Sequence, residues 1–374
     1  MIIILSDTGV ASCEIQQYLE ESFNQIKGMK KILSIGARAF THKRSGGNPV
    51  TVFFLPTSNQ NPAEDVRSSL AQRCDWESVM VHFLSDKDDS ESAINFDALK
   101  GGTTSKFTMS VTPSLYFYMP SGEEVSYCAH AAMGASYALT YCMRQQNMEL
   151  DYHEKEVKFV TAQGISNTAI IRGKDVELGM TNDLQEEVID MDTNNSDVIP
   201  LLLDQIGLSM DDIVGSDDLE TGSALPILNA SVARHKTMVP VKSLTRLNNA
   251  QNPKEAEEFR RLCDSITSTG LYLYTCVPKI EIGSQNTYSV QYECRQFPRA
   301  SGYPEDPATG IAAAALSSSL HRHNVNQGVS NFEIYQGTAM GKRSNLNIRL
   351  DNEKVYCSGA VEIDSEEYIT LNSL

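Results

Sequence analysis

The chain has 374 residues, 41% apolar and 21% charged, an ordinary globular balance over a length that exceeds what one hydrophobic core usually serves, so two lobes are expected. Lysine and arginine total 31 against 48 aspartates and glutamates, a formal charge of −17. A field of that sign repels phosphate backbones and anionic membranes, which argues against nucleic acid or a membrane as partner. No apolar run approaches the ~18 residues of a membrane span. The apolar start Met1–Leu5 halts at Ser6-Asp7 without a basic stretch and is too short for a signal peptide, so a cytoplasmic protein is expected.

Eight cysteines are scattered with no C-x-x-C, and the seven histidines include no H-E-x-x-H. His321 and His323 stand two apart, on different sides of any helix, so no metal site is expected. Most of the cysteines read as small buried hydrophobes.

In chain order, Ile32, Leu33 and Ile35, the turn His42–Gly47, then Val50, Val52, Phe53 and Phe54 predict strand, turn and strand. Asn61-Pro62-Ala63-Glu64 opens a helix to about Arg73. Residues 78–84 and 115–119 alternate as strands, the second ending at Pro120-Ser121-Gly122. From Ala129 to Met143 the residues are small or apolar on every side, which predicts a helix buried all round. A second such helix is predicted over 308–320, and the pair hints at an internal duplication. Between them, residues 181–220 carry twelve acids and no lysine or arginine, read as a solvated face. Helices are predicted over 196–206 and 253–269, the latter with an Asn252 cap and a Gly270 stop. Strands resume at 271–277, 287–294, 331–335, 345–350 and 354–361.

Three segments have compositions that packing alone does not require. Glu77, in Asp75-Trp76-Glu77-Ser78, stands ahead of a strand, where a carboxylate can simply face water. His130 stands at the start of the first buried helix, whose free N–H groups and positive dipole end suit a carboxylate or phosphate. It can move a proton there, or merely cap and pack. Asp306, in Gly302–Gly310, precedes the second buried helix and can be its N-cap. If the lobes face one another, Glu77, His130 and Asp306 converge on one cleft, as an enzyme that holds a carboxylate and moves a proton requires.

At these residues the chain resembles the PhzF family, phenazine-biosynthesis-like isomerases with the diaminopimelate epimerase fold. The resemblance is carried by Phe40-Thr41, Gly47–Phe53, Trp76-Glu77-Ser78, Pro120–Glu123, Cys128-Ala129-His130-Ala131, Pro304–Gly310, Gln336-Gly337 and Gly341–Ser344. These stand in the family's order over roughly residues 36–365. The resemblance implies an α+β protein of two similar lobes, each a curved sheet or barrel wrapped around a central helix. Residues 36–170 would form the first lobe, with 361–374 returning to it, and 171–360 the second; residues 1–35 form an extension of no assigned role.

The resemblance further implies proton transfer without a cofactor on a small carboxylate-bearing metabolite, in a protein that is commonly a homodimer. The catalytic glutamate falls on Glu77, which would need a dry cleft and a raised pKa. The histidine and aspartate fall on His130 and Asp306. Substrate contact falls on Asn48, Cys128, Ala129, Thr309, Gly310 and Ile311, with backbone amides at 129–130 and 309–310 holding the carboxylate. The chain departs from the pattern at Ile311, where a small polar residue is usual, and at Ala129, where glycine is usual. Two other readings compete. A two-thiol racemase could use Cys128, but Pro307-Ala308-Thr309 offers no second thiol. A catalytically silent relative that binds a metabolite or a protein would account for Ile311 and Ala129.

Overall fold

The computed structural model describes residues 31–55, 63–83, 106–108, 112–145, 153–189, 197–215, 224–277, 290–325, 329–351 and 353–370. Among these, the first compact unit takes 31–39, 49–178 and 360–370, and the second takes 40–48 and 179–359.

The first unit contains β1 (Lys31–Thr41, whose last two residues belong to the second unit), β2 (Asn48–Phe54, whose first residue belongs to the second unit), α1 (Glu64–Ala71), β3 (Ser78–His82), β4 (Lys106–Thr108), β5 (Ser114–Tyr118), β6 (Glu124–Val125), α2 (Ala129–Gln145), β7 (Glu154–Thr161), β8 (Ser166–Arg172) and β9 (Asp175–Thr181, whose last three residues belong to the second unit). β2 runs parallel to β3 with Thr51 opposite Ser78, and β3 antiparallel to β5 with Val79 opposite Phe117. β5 is parallel to β7, and β7 antiparallel to β8. α2 packs against β3 and β8, and its residues 129–140 are all buried, as its all-round apolar sequence requires. A Cβ on Gly134 would stand 2.5 Å from Val50 Cγ1, so the bare glycine lets the helix lie close on β2.

The second unit contains β10 (Gln185–Val188), α3 (Val198–Gln205), β11 (Leu228–Ser231), β12 (Lys236–Pro240), α4 (Leu244–Asn249), α5 (Ala256–Ser265), β13 (Gly270–Val277), β14 (Val290–Pro298), α6 (Gly310–Arg322), β15 (Asn331–Gln336), β16 (Ser344–Leu350) and the first part of β17 (Lys354–Thr370). Its pairings repeat those of the first unit. β12 is parallel to β13, β13 antiparallel to β14, β14 parallel to β15 and β15 antiparallel to β16. In both units a helix buried over all but its C-terminal end, α2 or α6, connects the strands of the second parallel pair. This shared order of pairings is the duplication that the two apolar helices suggest. Leu271 and Leu273 of β13 join Ile199, Leu203, Phe259 and Leu262 in a core under α3 and α5, while α6 packs against β11 and β16. Tyr272, on the opposite face of β13 by strand alternation, bonds Gln336.

Several boundaries differ from expectation. β1 already begins at Lys31, inside the stretch read as an extension. Residues 171–178 go with the first unit because Ile171, Val176 and Leu178 are buried there and Val361 N–H donates to Lys174 O at 2.9 Å. The N-cap of α5 is Glu255 rather than Asn252, since Gln205 takes the N–H groups of Lys254 and Glu255. The helix ends at Ser265 rather than Gly270, through Thr267 in the left-handed region at φ 55° and a Ser268 N–H bond to Cys263 O. Gly270 instead opens β13, where a Cβ would stand 2.3 Å from Phe297 O.

The acidic stretch is solvated only in part among its described residues. Asp183, Glu187, Asp204 and Asp211 are exposed, but Glu186 pairs with Arg322, and buried Asp212 pairs with Arg246 and bonds Ser209. Of the described cysteines, Cys128, Cys263, Cys294 and Cys357 are buried, Cys74 and Cys142 are half-buried, and Cys276, at the solvent end of β13, is exposed. No described group of side chains could hold a metal ion, and no described helix is long and apolar enough to cross a membrane.

Candidate active site

In the first unit, Glu77 stands immediately before β3, and its carbonyl accepts the Thr51 N–H at 3.2 Å. That bond belongs to the first β2–β3 bridge, Thr51 opposite Ser78, and holds the backbone of Glu77 against β2. The carboxylate that could have faced water is buried, at 6% exposure. Glu77 Oε2 lies 3.7 Å from His130 Nε2, and both side chains are buried. Cys128 Sγ lies 3.3 Å from His130 Nδ1. Cys128 O accepts Ala132 N–H at 2.9 Å, which makes Cys128 the residue on which α2 starts. Ala129, His130 and Ala131 then occupy the first turn, where N–H groups have no carbonyl one turn back. Of the expected site residues, Glu77, Cys128, Ala129 and His130 thus come together.

In the second unit the loop before α6 is a closed polar network. Asn48 Nδ2 donates to Asp306 Oδ1 and to Ala308 O, each at 2.7 Å. Thr309 Oγ1 donates to Asp306 Oδ2 at 2.6 Å, and Ala308 N–H to Asp306 Oδ1 at 3.3 Å. Asp306 is therefore not the N-cap of α6. Thr309 holds that position, and its hydroxyl bonds Asp306 instead of capping. Gly310 and Ile311 begin α6, both buried. Asn48, Asp306, Thr309, Gly310 and Ile311 thus form the second cluster.

Two supports lie outside the expected site residues. Gln336, at the end of β15, donates to Asp306 O at 2.7 Å and to Thr309 Oγ1 at 3.0 Å, and accepts from Thr309 N–H and Tyr272 OH. The Gln336-Gly337 motif was its only signal. Gly337 at φ 76° is required there, since a Cβ would stand 2.6 Å from Lys342 O and 2.9 Å from Pro307 O. Beneath the loop, Arg295 and Glu305 form a buried two-pronged pair at 2.8 and 2.7 Å, and Arg295 also donates to Leu247 O and Ala250 O.

The phenazine biosynthesis-like protein family model matches residues 113–366, more than half of the chain. The chain belongs to this family. A curated isomerase of uncharacterised role from Clostridium acetobutylicum is 25% identical over 269 residues, 68% of this chain and 78% of that protein. The crystal structure of a PhzF-family phenazine biosynthesis protein from Bacillus anthracis superposes with TM-score 0.62 at 19% identity, covering 91% of this chain and 99% of that one. The structure of a predicted epimerase from Pseudomonas aeruginosa gives TM-score 0.61 at 15% identity, over 90% and 99% of the two chains. The fold is the diaminopimelate epimerase-like α+β fold.

Proposed function

We propose that the protein is an isomerase of the phenazine biosynthesis-like family that moves a proton on a small carboxylate-bearing metabolite, with Glu77 as general acid and base. The observation that carries this reading is the burial of Glu77 beside His130 at the head of α2. A carboxylate that takes a proton from carbon leaves the electron pair on the substrate, and the acid so formed returns the proton to a different carbon or the opposite face. His130, within reach of Glu77, orients the substrate's polar groups. The N-terminal amides of α2, beside Glu77 and His130, suit the substrate carboxylate, because orphan N–H groups and the helix dipole both favour an anion. Asp306, bonded on both oxygens, fixes the loop before α6 together with Asn48 and Thr309. Glu77 supplies both halves of the proton transfer, so the reading needs no cofactor. The family membership and the isomerase relative support the reaction class.

The test is incubation with a panel of small amino and hydroxy carboxylates in heavy water, scored by mass spectrometry. Deuterium uptake at carbon in one compound is expected. Binding of a panel compound with no uptake in any would contradict the reading and favour a catalytically silent protein.

A further inference from the structure

We propose that Lys43, Arg44 and Arg343 of the second unit form a binding site for a phosphate group at the edge of the Asp306 loop, on a turn that keeps an unfavourable backbone in order to present its cations. Its basis is independent of the reaction assigned to Glu77.

The turn after β1 is a two-residue hairpin. His42 N–H donates to Ser45 O at 2.9 Å, and Ser45 N–H donates to His42 O at 3.0 Å. Between them Lys43 has φ 51° and Arg44 φ 67°, so both central residues lie in the left-handed region. Turns of this kind favour Asn-Gly, because the Cβ of an ordinary residue is strained there. The chain instead sets two long cations at the tip. Strain of this kind clusters at ligand clamps and active sites, where function maintains it.

The turn is locked to the hairpin between β15 and β16. Gly47 N–H donates to Ser344 Oγ at 3.2 Å, and a Cβ on Gly46 would overlap Arg343 O. The Arg343 guanidinium is held over the Tyr335 ring, 4.0 Å from its centre, and lies 3.8 Å from Glu293. Lys43, Arg44 and Arg343 are exposed, and Lys342 is half-buried. Four cations thus gather on two touching hairpins of a chain whose formal charge is −17. The neighbouring carboxylates are less exposed: Glu293 is buried, and half-buried Glu333 accepts the Tyr335 hydroxyl at 2.7 Å. His42, edge-on to Tyr335, has its pKa lowered by burial and then by Arg343 and Lys43, against a weaker opposing effect of Glu333. The field at the turn is therefore positive.

Both hairpins border the Asp306 loop. Asn48 bonds Asp306 at 2.7 Å, and a Cβ on Gly337 would meet both Lys342 O and Pro307 O. A phosphate dianion suits this set, since guanidinium groups give paired, charge-assisted bonds and lysine adds a point charge. Free phosphate and a phosphate ester present the same oxygens.

The test is isothermal titration calorimetry of the full chain at low salt, with inorganic phosphate and with glycerol 3-phosphate. Lys43→Asn/Arg44→Gly gives the turn its preferred residues and removes both cations. It is expected to raise the melting temperature and to weaken phosphate binding about tenfold or more. Arg260→Gln/Arg261→Gln, on α5, removes the same charge elsewhere and should change binding only about twofold. Binding of both anions would support a site for the phosphate group itself, and binding of the ester alone a site for a phosphorylated metabolite. Binding of neither, equal losses in the two double variants, or a melting temperature that falls in Lys43→Asn/Arg44→Gly would overturn the proposal. None of these readouts needs turnover, so absence of deuterium uptake would sink the isomerase reading alone.

Discussion

Asn48 donates through Nδ2 to Asp306 Oδ1 at 2.7 Å, joining residues 258 apart in sequence. Thr309 holds the other carboxylate oxygen, so Asp306 ties the turn after β1 to the start of α6. Replacing Asp306 with alanine strands the Asn48 amide and the Thr309 hydroxyl in a buried site. Hydrogen bonds to charged groups contribute roughly 1.5–3 kcal/mol, and stranded partners add to the loss. Asp306→Ala is expected to lower stability by about 3 kcal/mol or more in urea unfolding. Asp306→Asn keeps one acceptor and should lose less. Equal losses in the two variants would contradict this account of the loop.

Arg295 and Glu305 make the same kind of argument for a buried ion pair. Removing one partner leaves an uncompensated buried charge, which typically costs about 3–5 kcal/mol. Glu305→Leu is expected to fall in that range. The double variant Arg295→Met/Glu305→Leu should recover part of the loss, because the desolvation of both charges disappears together. A strictly additive double-mutant cycle would contradict the coupling.

Close packing of α2 on β2 is tested at Gly134. An alanine there overpacks against Val50, whose branched side chain has little freedom in a strand, at a cost of about 1–3 kcal/mol. Shortening Val50 to alanine in the same chain should make the double variant less unstable than the sum of the singles. The measurement is the unfolding free energy of all four proteins.

Glu293, buried in β14, has its pKa raised above the ordinary value of 4.5, chiefly by burial and against the opposing effects of the Thr338 hydroxyl and Arg343. A raised folded-state pKa means that the folded protein holds this proton more tightly than the unfolded chain. The contribution is fully present below the unfolded value and is lost as pH rises through the folded value. Glu293→Gln keeps the neutral shape at every pH. Its melting temperature should therefore gain on the wild type as pH rises from about 4 to about 8. A difference that stays flat, or runs the other way, would show that Arg343 rather than burial governs the group.

The two central helices were legible because residues 129–143 and 308–320 are apolar on every side, a pattern with few other uses. The strands of 154–161, 166–172 and 175–181 were not located. In β7 the inward positions are Lys155, Val157, Phe159 and Thr161, so the period of two opens on a buried lysine and is masked. The ends of α5 were misplaced because tertiary partners decided them, Gln205 at the start and the Schellman-type turn at Thr267. In the site, Glu77, His130 and Asp306 were visible through motifs. Gln336 stands in the Gln336-Gly337 motif, but Tyr272 and Arg295 act from strands remote in sequence, and no local pattern marks a side chain that serves a distant loop.

The central claim is that Glu77 carries the proton. The most direct measurement compares wild type and Glu77→Gln on one carboxylate substrate, reading deuterium uptake and binding of the same compound together. Positioned proton transfer is worth roughly a hundred- to ten-thousand-fold in rate. Uptake is expected to fall by at least the lower figure in Glu77→Gln, with affinity changed only a few-fold. Uptake that survives the substitution at the wild-type rate would contradict the account and move the base elsewhere.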